Sequence, residues 1–444
     1  MPTDDQDQSE YNMSPPVSHK LVETRRLRCR IYLAFGLWLL TLGYCWVAFS
    51  QLGAQRACDF TISYLQGHAL REGRDPYAPA DFAAVRNEFP TLPAVEVDRA
   101  TDPPTFVLMV EPLSRVHYNL AYWLWVTLNV VALAGGLFLI LKPLARRLDH
   151  PTLWIIAALA VLYHPVNTNW SYGQSKIIIF FLLALTLRSM ERGHEALAGA
   201  SLALAALLRA FPILLLAYLA MQRRWRVVAY AGAALLIGGV GTLLFVGTRI
   251  SLSFFSALPY LTGPVLAGNL GNIAPNAVAA RILSRMMSGR PHMIVPYFVQ
   301  RMIAWTPGGL TLILTLRVTV AKAPLRDPEW RLFSLWVATA LMLLPVAWQY
   351  DLVVLLIPFL GIASAVLCGR ASLRTLVAAV FSYLLPTLEW GMRHLSTMPG
   401  APVASLVYPV MVDFQVLCLV TAYLSTYWFV TDVRDGSGGE EPSR

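Results

Sequence analysis

The sequence predicts an all-α polytopic membrane protein, because long apolar runs recur along the chain and few charged residues interrupt them. The 444 residues are 56% hydrophobic and 14% charged, and the mean hydropathy is +0.54. A soluble domain usually contains about 25% charged residues. A hydrocarbon core about 30 Å thick requires about 20 apolar residues in one helix, and several runs reach that length.

The positions of Lys and Arg set the expected orientation of these runs, because cytoplasmic loops are rich in both residues. The arginines between Arg25 and Arg30 place the N-terminus in the cytoplasm. Because the basic clusters flank apolar runs, the net charge of +9 indicates a membrane protein and not a nucleic-acid-binding one. The rule predicts about ten full transmembrane helices, at 31–51, 118–141, 152–166, 176–189, 226–247, 301–322, 331–347, 351–368, 372–388 and 404–430.

Two stretches between these runs are expected to form large external loops, at 52–117 and 248–300. The piece at 103–117 in the first loop is apolar but short and bounded by proline, which predicts a re-entrant or interfacial segment. The predicted boundaries are a disordered cytoplasmic tail at 1–30, a single transmembrane domain at 31–431 and a cytoplasmic tail at 432–444.

One apolar segment, 196–222, does not fit a single crossing. It begins and ends beside cytoplasmic basic residues, and the stretch from Arg209 to Pro212 interrupts it. Two short helices at 196–208 and 212–222, forming a hairpin entered from the cytoplasm, satisfy both observations and bring the total to about 10–12 helices. The first helix rises roughly 20 Å, so Arg209 is expected in the outer part of the membrane. Irregular backbone at that depth requires protein or a cavity around it.

This topology gathers unusual polar residues at the outer face: Asp59, His164, Gln174, Asn269, Asn272, Asn276, Trp348, Tyr350 and Asp351. Asp59 and Asp351 are the candidate acids, because a carboxylate at a membrane boundary is costly unless it is functional or paired. The alternative for either residue is an interfacial carboxylate that contacts water or a loop arginine.

Arg209 is the candidate phosphate-binding residue. Pro212 suits the first turn of a helix, and the free N–H groups and dipole of such a helix start favour anions. An arginine beside it adds a planar fork of donors that matches phosphate. The alternative is an arginine that pairs with an acid and stabilises the break in the hairpin.

Aromatic and amide side chains complete the candidates. The aromatic residues that could stack on a sugar or a prenyl chain are Tyr64, Tyr77, Trp348 and Tyr350. Aromatic residues also form belts at both membrane interfaces for purely physical reasons. Gln174 and Asn269 could bind a donor sugar, but amides also cap helices.

An ordered set of motifs runs from about residue 31 to residue 368. It comprises Asp59-Phe60 with Tyr64, Gly73-Arg74-Asp75-Pro76-Tyr77, Pro103-Pro104, His164-Pro165, Gly173-Gln174, Gly199 through Arg209 to Pro212, Arg223-Arg224-Trp225, Gly268-Asn269 with Arg281, and Pro345 with Trp348. This set resembles glycosyltransferase family 87, a GT-C-type membrane family of polyprenyl-phosphate-sugar-dependent transferases that includes α-mannosyltransferases. The chain departs from the family where Lys176 replaces a frequent Asn, Arg209 a frequent Lys and Tyr350 a frequent His.

The resemblance implies a GT-C-like fold and an inverting transfer of a hexose or pentose, mannose-like, from a polyprenyl-phosphate sugar. The implied acceptor is a lipid or a cell-envelope glycan at the outer face of the bacterial inner membrane. Asp59 would be the general base and Arg209 would stabilise the leaving phosphate. The remaining implied donor-binding residues are Gln174, Asn269, Trp348, Tyr350, Tyr64, Tyr77, His164 and Lys176. No cofactor, metal site or disulfide is expected, and no nucleic-acid partner.

Two other classes of protein compete with this interpretation. A transporter or flippase of a lipid-linked sugar would place its substrate residues near the bilayer midplane on broken helices. Here the polar residues are expected at one face, which favours an enzyme. An assembly subunit would not require so many polar residues in one external cleft.

Overall fold

The computed structural model describes residues 17–51, 58–93, 95, 97, 99–261, 269, 271–287, 297–321, 328–396 and 414–431. Within these ranges the chain forms 18 α-helices and three short 3-10 helices, without β-strands. The predicted all-α class is therefore confirmed for the described residues. The predicted tail at 432–444 and the stretch 404–413 lie outside them.

The first six helices carry the chain from the N-terminus through the predicted first loop. They are α1 Val17–Gln51, α2 Cys58–Arg71, α3 Pro79–Glu88, α4 Pro104–Val110, α5 Tyr118–Leu144 and α6 His150–Leu162. One expectation needs correction. Residues 17–30 of the predicted disordered tail are helical and form the first part of α1. The predicted external loop 52–117 contains α2 to α4 and a 3-10 helix at Glu111–Arg115, and its external position stays a prediction.

The central six helices contain the predicted interruptions. They are α7 His164–Tyr172, α8 Lys176–Glu191, α9 Glu195–Leu208, α10 Leu214–Met221, α11 Trp225–Val246 and α12 Thr248–Leu261. The predicted crossing at 152–166 ends early, at α6, because Tyr163 is extended and Pro165 begins a new helix. Residues 164–172 form α7.

The last six helices are α13 Pro275–Met287, α14 Tyr297–Val320, α15 Pro328–Met342, α16 Leu356–Leu367, α17 Leu373–Ser396 and α18 Val416–Thr431. The predicted crossing at 331–347 is shorter than expected, because Pro345 disfavours helical backbone in the residue before it. A 3-10 helix at Gln349–Leu355 leads directly into α16. The second predicted loop, 248–300, includes α12 and α13.

Five helical stretches are long and apolar enough to cross a membrane: Thr24–Val47, Tyr118–Leu144, Trp225–Val246, Met302–Val320 and Gln349–Leu367. Several other apolar helices are shorter, including α9 and α18. The chain is thus a membrane protein, and the total of ten full crossings stays a prediction.

The segment expected to form a hairpin is broken at the expected place. α9 ends at Leu208, Arg209 is extended with φ −151° and ψ 134°, and a 3-10 turn at Phe211–Ile213 precedes α10. Gly199 packs against the backbone of Ala231, with only 2.7 Å between a hypothetical Cβ at 199 and the Ala231 nitrogen.

α9 and α11 run in the same direction. The start of α9 lies beside the start of α11, where Arg226 forms an ion pair with Glu195 over 3.7 Å. Farther along both helices, Leu207 contacts Gly238. Because residues 209–224 join the end of α9 to the start of α11, they return the chain to the level at which α9 began.

The core lies around α8, which is apolar on nearly every side. Ile177, Ile179, Phe180 and Leu183 are fully buried there against α5, α9 and α15. A helix that is apolar all round belongs inside a protein. α8 therefore carries its first residue, Lys176, into the interior.

Candidate active site

Asp59 occupies the first turn of α2, where it is partly buried. Its Oδ2 accepts a hydrogen bond from Gln174 Nε2 over 2.6 Å. Burial raises the pKa of the Asp59 carboxyl above its ordinary value, and the nearby Asp102 charge acts in the same direction. The Gln174 hydrogen bond and the charges of Lys176 and Arg209 oppose that rise.

Gly173 allows this approach between α2 and the turn after α7. Its φ of +70° ends α7 in the left-handed conformation that glycine tolerates best. A Cβ at this position would lie 2.5 Å from the Phe60 Cβ. Trp125 Nε1 donates to the Gly173 carbonyl over 2.8 Å, which fixes the turn that presents Gln174 to Asp59.

Gln174 also contacts both cations of the site through its amide oxygen. Lys176 Nζ donates to Gln174 Oε1 over 3.1 Å, and Arg209 donates from a terminal nitrogen over 3.5 Å. An amide offers acceptors on oxygen and donors on nitrogen. Two cations at the oxygen therefore leave the amide N–H groups to face the Asp59 carboxylate.

Lys176 and Asp351 form a buried ion pair, with 3.4 Å between Nζ and Oδ1. The other Asp351 oxygen accepts from the Trp348 backbone N–H over 2.8 Å and so caps the 3-10 helix that follows. Lys176 also lies 5.2 Å from the centroid of the Tyr350 ring, a cation–π contact. Asp351 therefore has a structural partner at each carboxylate oxygen.

Arg209 pairs with Asp102, an acid that the sequence interpretation missed. The distance from the Arg209 terminal nitrogen to Asp102 Oδ1 is 2.9 Å, and Asp102 is buried. A paired acid was one of the two arrangements expected for Arg209. The available signal was the position of Asp102 directly before Pro103-Pro104, the motif that starts α4.

These side chains surround one cavity of about 310 Å³. Its charged and amide lining consists of Asp59, Asp102, Gln174, Lys176, Arg209 and Asp351, and Thr101, Trp348 and Tyr350 also contribute. Small-molecule sites are typically clefts of about 300–1,000 Å³ with a few convergent polar groups. Segments far apart in the sequence, near residues 59, 102, 174, 209 and 350, thus meet at one site.

The family model of glycosyltransferase family 87 matches residues 101–346, more than half of the chain. The chain belongs to glycosyltransferase family 87. No curated protein matches the sequence, and no solved structure does. The expected resemblance is confirmed, and the protein is a membrane glycosyltransferase by family. The match includes Asp102, Gln174, Lys176 and Arg209, whereas Asp59 lies before it.

Four candidates of this family-87 chain lie away from the cavity. Tyr64 donates to the Val116 carbonyl over 2.9 Å, and Tyr77 donates to the Asp102 carbonyl over 2.8 Å. His164 is buried at the start of α7. The Asn269 side chain accepts from the Gly271 N–H over 2.8 Å. Their expected roles in donor binding stay predictions, and their contacts here are with the protein itself.

Asn272 does not line the cavity of the transferase, but it holds the backbone of a segment that does. Its Oδ1 accepts from the backbone N–H groups of Ala347 and Ala274 over 3.0 and 3.1 Å. The Ile273 N–H donates to the Ala347 carbonyl over 2.7 Å. These bonds hold the segment that leads to Trp348.

The charges that line the cavity are three carboxylates and two cations. Lys176 pairs with Asp351, and Arg209 pairs with Asp102. Asp59 is hydrogen-bonded instead by the neutral Gln174 amide. It is therefore the carboxylate in this lining best suited to accept a proton. Among the described residues, no group of three or more His, Cys, Asp and Glu side chains is arranged to hold a metal ion.

Proposed function

We propose that this family-87 protein transfers a hexose or pentose, mannose-like, from a polyprenyl-phosphate sugar to a lipid or cell-envelope glycan. The reaction takes place at the outer face of the bacterial inner membrane and inverts the anomeric centre. The observation that carries the proposal is the partly buried Asp59 carboxylate, with its raised pKa, in the same cavity as Lys176 and Arg209.

Asp59 is the general base of the proposed reaction. The acceptor hydroxyl gives its proton to an Asp59 oxygen while its own oxygen bonds to the anomeric carbon. The bond between that carbon and the phosphate oxygen breaks at the same time, through an oxocarbenium-like state. A positioned base contributes about 10²–10⁴-fold to a rate. Burial strengthens Asp59 as a base, because it raises the affinity of the carboxylate for a proton.

Arg209 and Lys176 stabilise the leaving group. The departing polyprenyl phosphate takes both electrons of the broken bond and therefore gains negative charge. Cations already held in a cavity stabilise such charge without reorganisation during the step. Arg209 adds a planar fork of donors that suits phosphate, and Lys176 adds a point charge.

The outer-face location is supported by the direction of α9. The cavity residue Arg209 follows the C-terminal end of this helix, whereas the Glu195–Arg226 pair lies at its beginning. Helix α9 spans about 20 Å. Basic residues near Arg226 favour the cytoplasmic side, which supports a cavity that opens on the opposite side.

The proposal is tested with purified protein and a radiolabelled polyprenyl-phosphate mannose. We expect labelled sugar on the acceptor, free polyprenyl phosphate, and an inverted anomeric configuration by NMR. Asp59→Asn protein is the control. Transfer from a nucleotide sugar but not from the lipid donor would contradict the proposed donor. Passage of the intact donor across vesicles without cleavage would favour the flippase instead.

A further inference from the structure

Asp102 is held firmly in the cavity wall. Its side chain is 8% exposed, and its carbonyl accepts from the Tyr77 hydroxyl over 2.8 Å. On one side the Ala100 N–H donates to the Pro76 carbonyl over 2.8 Å, and on the other side Pro103 restricts the backbone. The Asp102 carboxylate therefore cannot travel far if Arg209 moves.

The contact between Asp102 and Arg209 leaves both groups incompletely satisfied. Asp102 Oδ1 is buried, and a terminal nitrogen of Arg209 lies 2.9 Å away. Even so, this oxygen accepts no well-oriented hydrogen bond from any described residue. Arg209 Nε is also buried without a hydrogen-bond partner there. A guanidinium has five N–H donors. Arg209 thus retains donors for a further anion.

A third observation is the charge of the cavity. Its three carboxylates exceed its two cations before any ligand arrives. Lys176 is paired with Asp351, which is itself tied to the Trp348 N–H. A phosphate that approached Arg209 while Asp102 remained there would place two anions against one cation. Like charges in a poorly solvated site repel strongly.

We propose that Asp102 is a placeholder anion: it pairs with Arg209 in the empty protein, and Arg209 turns from it to the phosphate of the lipid carrier. This inference rests on the proposed function. Asp102 is then a positioning residue that acts through Arg209. Its carboxylate opposes donor binding and, by pairing with Arg209 again, promotes release of the polyprenyl phosphate product.

The test measures the affinity of purified protein for farnesyl phosphate, with farnesol as the matched ligand without phosphate. Asp102→Asn removes the competing charge and keeps the shape of the side chain. We expect it to bind farnesyl phosphate about tenfold to a hundredfold more tightly, the range for one charge-assisted contact. Farnesol affinity should not change. Asp102→Ser provides the same test if the Asn variant does not fold.

A second pair of variants isolates the action through Arg209. Arg209→Ala should weaken farnesyl phosphate binding. The double variant with Asp102→Asn should bind as weakly as Arg209→Ala alone, because without Arg209 there is no cation for which Asp102 and the phosphate compete. If Asp102 served only to position Arg209, Asp102→Asn would misplace Arg209 and would bind farnesyl phosphate more weakly. That result would overturn the placeholder and leave the proposed function standing. Equal binding of farnesyl phosphate and farnesol by the unchanged protein would overturn both.

Discussion

Gln174 joins the Asp59 carboxylate to the cations of the cavity, since its Nε2 donates to Asp59 Oδ2 over 2.6 Å and its Oε1 accepts from Lys176 over 3.1 Å. The amide is thus oriented from both ends. It fixes one oxygen of the proposed base and leaves the carboxylate without a direct cationic partner in this network.

Gln174→Leu should lower kcat about tenfold or more and change KM much less, because Asp59 loses its orienting donor. That hydrogen bond holds down the pKa of Asp59. Its loss raises the pKa further, so the acidic limb of the kcat profile should move to higher pH. Gln222→Leu, beyond the end of α10, is the matched control. An acidic limb that does not move would contradict the orienting role.

Asp59→Asn should lower the transfer rate at least about 10²-fold while the protein still folds. Burial raises the pKa of Asp59 above its ordinary value, so the folded chain binds this proton more tightly than the unfolded chain does. The associated stability is present at low pH and is lost as the pH rises through the raised pKa. At neutral pH the Asn variant should therefore melt no lower than the unchanged protein.

The control for this variant is Asp81→Asn, in α3 and outside the cavity lining. It should retain transfer activity per folded molecule. Activity of Asp59→Asn within a few fold of the unchanged protein would move the proposed base to Asp351.

Lys176 and Asp351 form a buried pair, so removing either partner should strongly destabilise the protein. Lys176→Met or Asp351→Asn alone should cost about 3–5 kcal/mol, because the remaining charge loses its partner. The double variant should lose less than the sum of the two. Thermal melting of all four proteins in one detergent measures this coupling. Strictly additive losses would show that the pair contributes no coupling.

Gly199→Ala tests the close packing of α9 on α11. A Cβ at 199 would lie 2.7 Å from the Ala231 nitrogen and 2.8 Å from the Val227 carbonyl oxygen. Overpacking of this kind costs about 1–3 kcal/mol, so the melting temperature should fall. Gly232→Ala, on the same helix pair but with open space around it, should not lower it. Equal melting temperatures for both variants would contradict the packing.

The hairpin is tested by thiol labelling in a background without the five native cysteines. Glu195→Cys and Arg224→Cys should react from the same side of the membrane, because the structure pairs Glu195 with Arg226 and Arg224 with Glu329. We expect that side to be the cytoplasm. Labelling from opposite sides would contradict the return of the chain between these positions.

Apolar length, proline and glycine allowed much of the helix pattern to be predicted. The run at 118–141 contains no strong interruption, and it is helix α5, Tyr118–Leu144. The break at Arg209 was also expected, since charge and Pro212 interrupt an apolar segment. Inside 52–117 only the apolar piece at 103–117 was singled out, because the other helices are short and mixed in polarity. These helices pack against one another and against α9 and α11, and such packing stabilises short helices more than local pattern does.

For the candidate site, the sequence predicted some of the cavity residues and missed others. Asp59, Gln174, Lys176 and Arg209 were proposed from their sequence positions, and they line one cavity. Asp102 was missed, because its local sequence gives no sign that it faces an arginine 107 positions later. Tyr77 was proposed as a ligand-stacking residue, whereas its hydroxyl holds the Asp102 backbone.

The sequence by itself determined the membrane class, the family resemblance and the interruption at Arg209, since each depends on local composition or motif order. Tertiary structure alone decided which carboxylate accompanies which cation. Asp102 pairs with Arg209 and Asp351 pairs with Lys176, and this leaves Asp59 to the Gln174 amide. The reason is physical: ion pairing and burial depend on distances in space, and no periodicity along the chain encodes the distance between segments that meet only after folding.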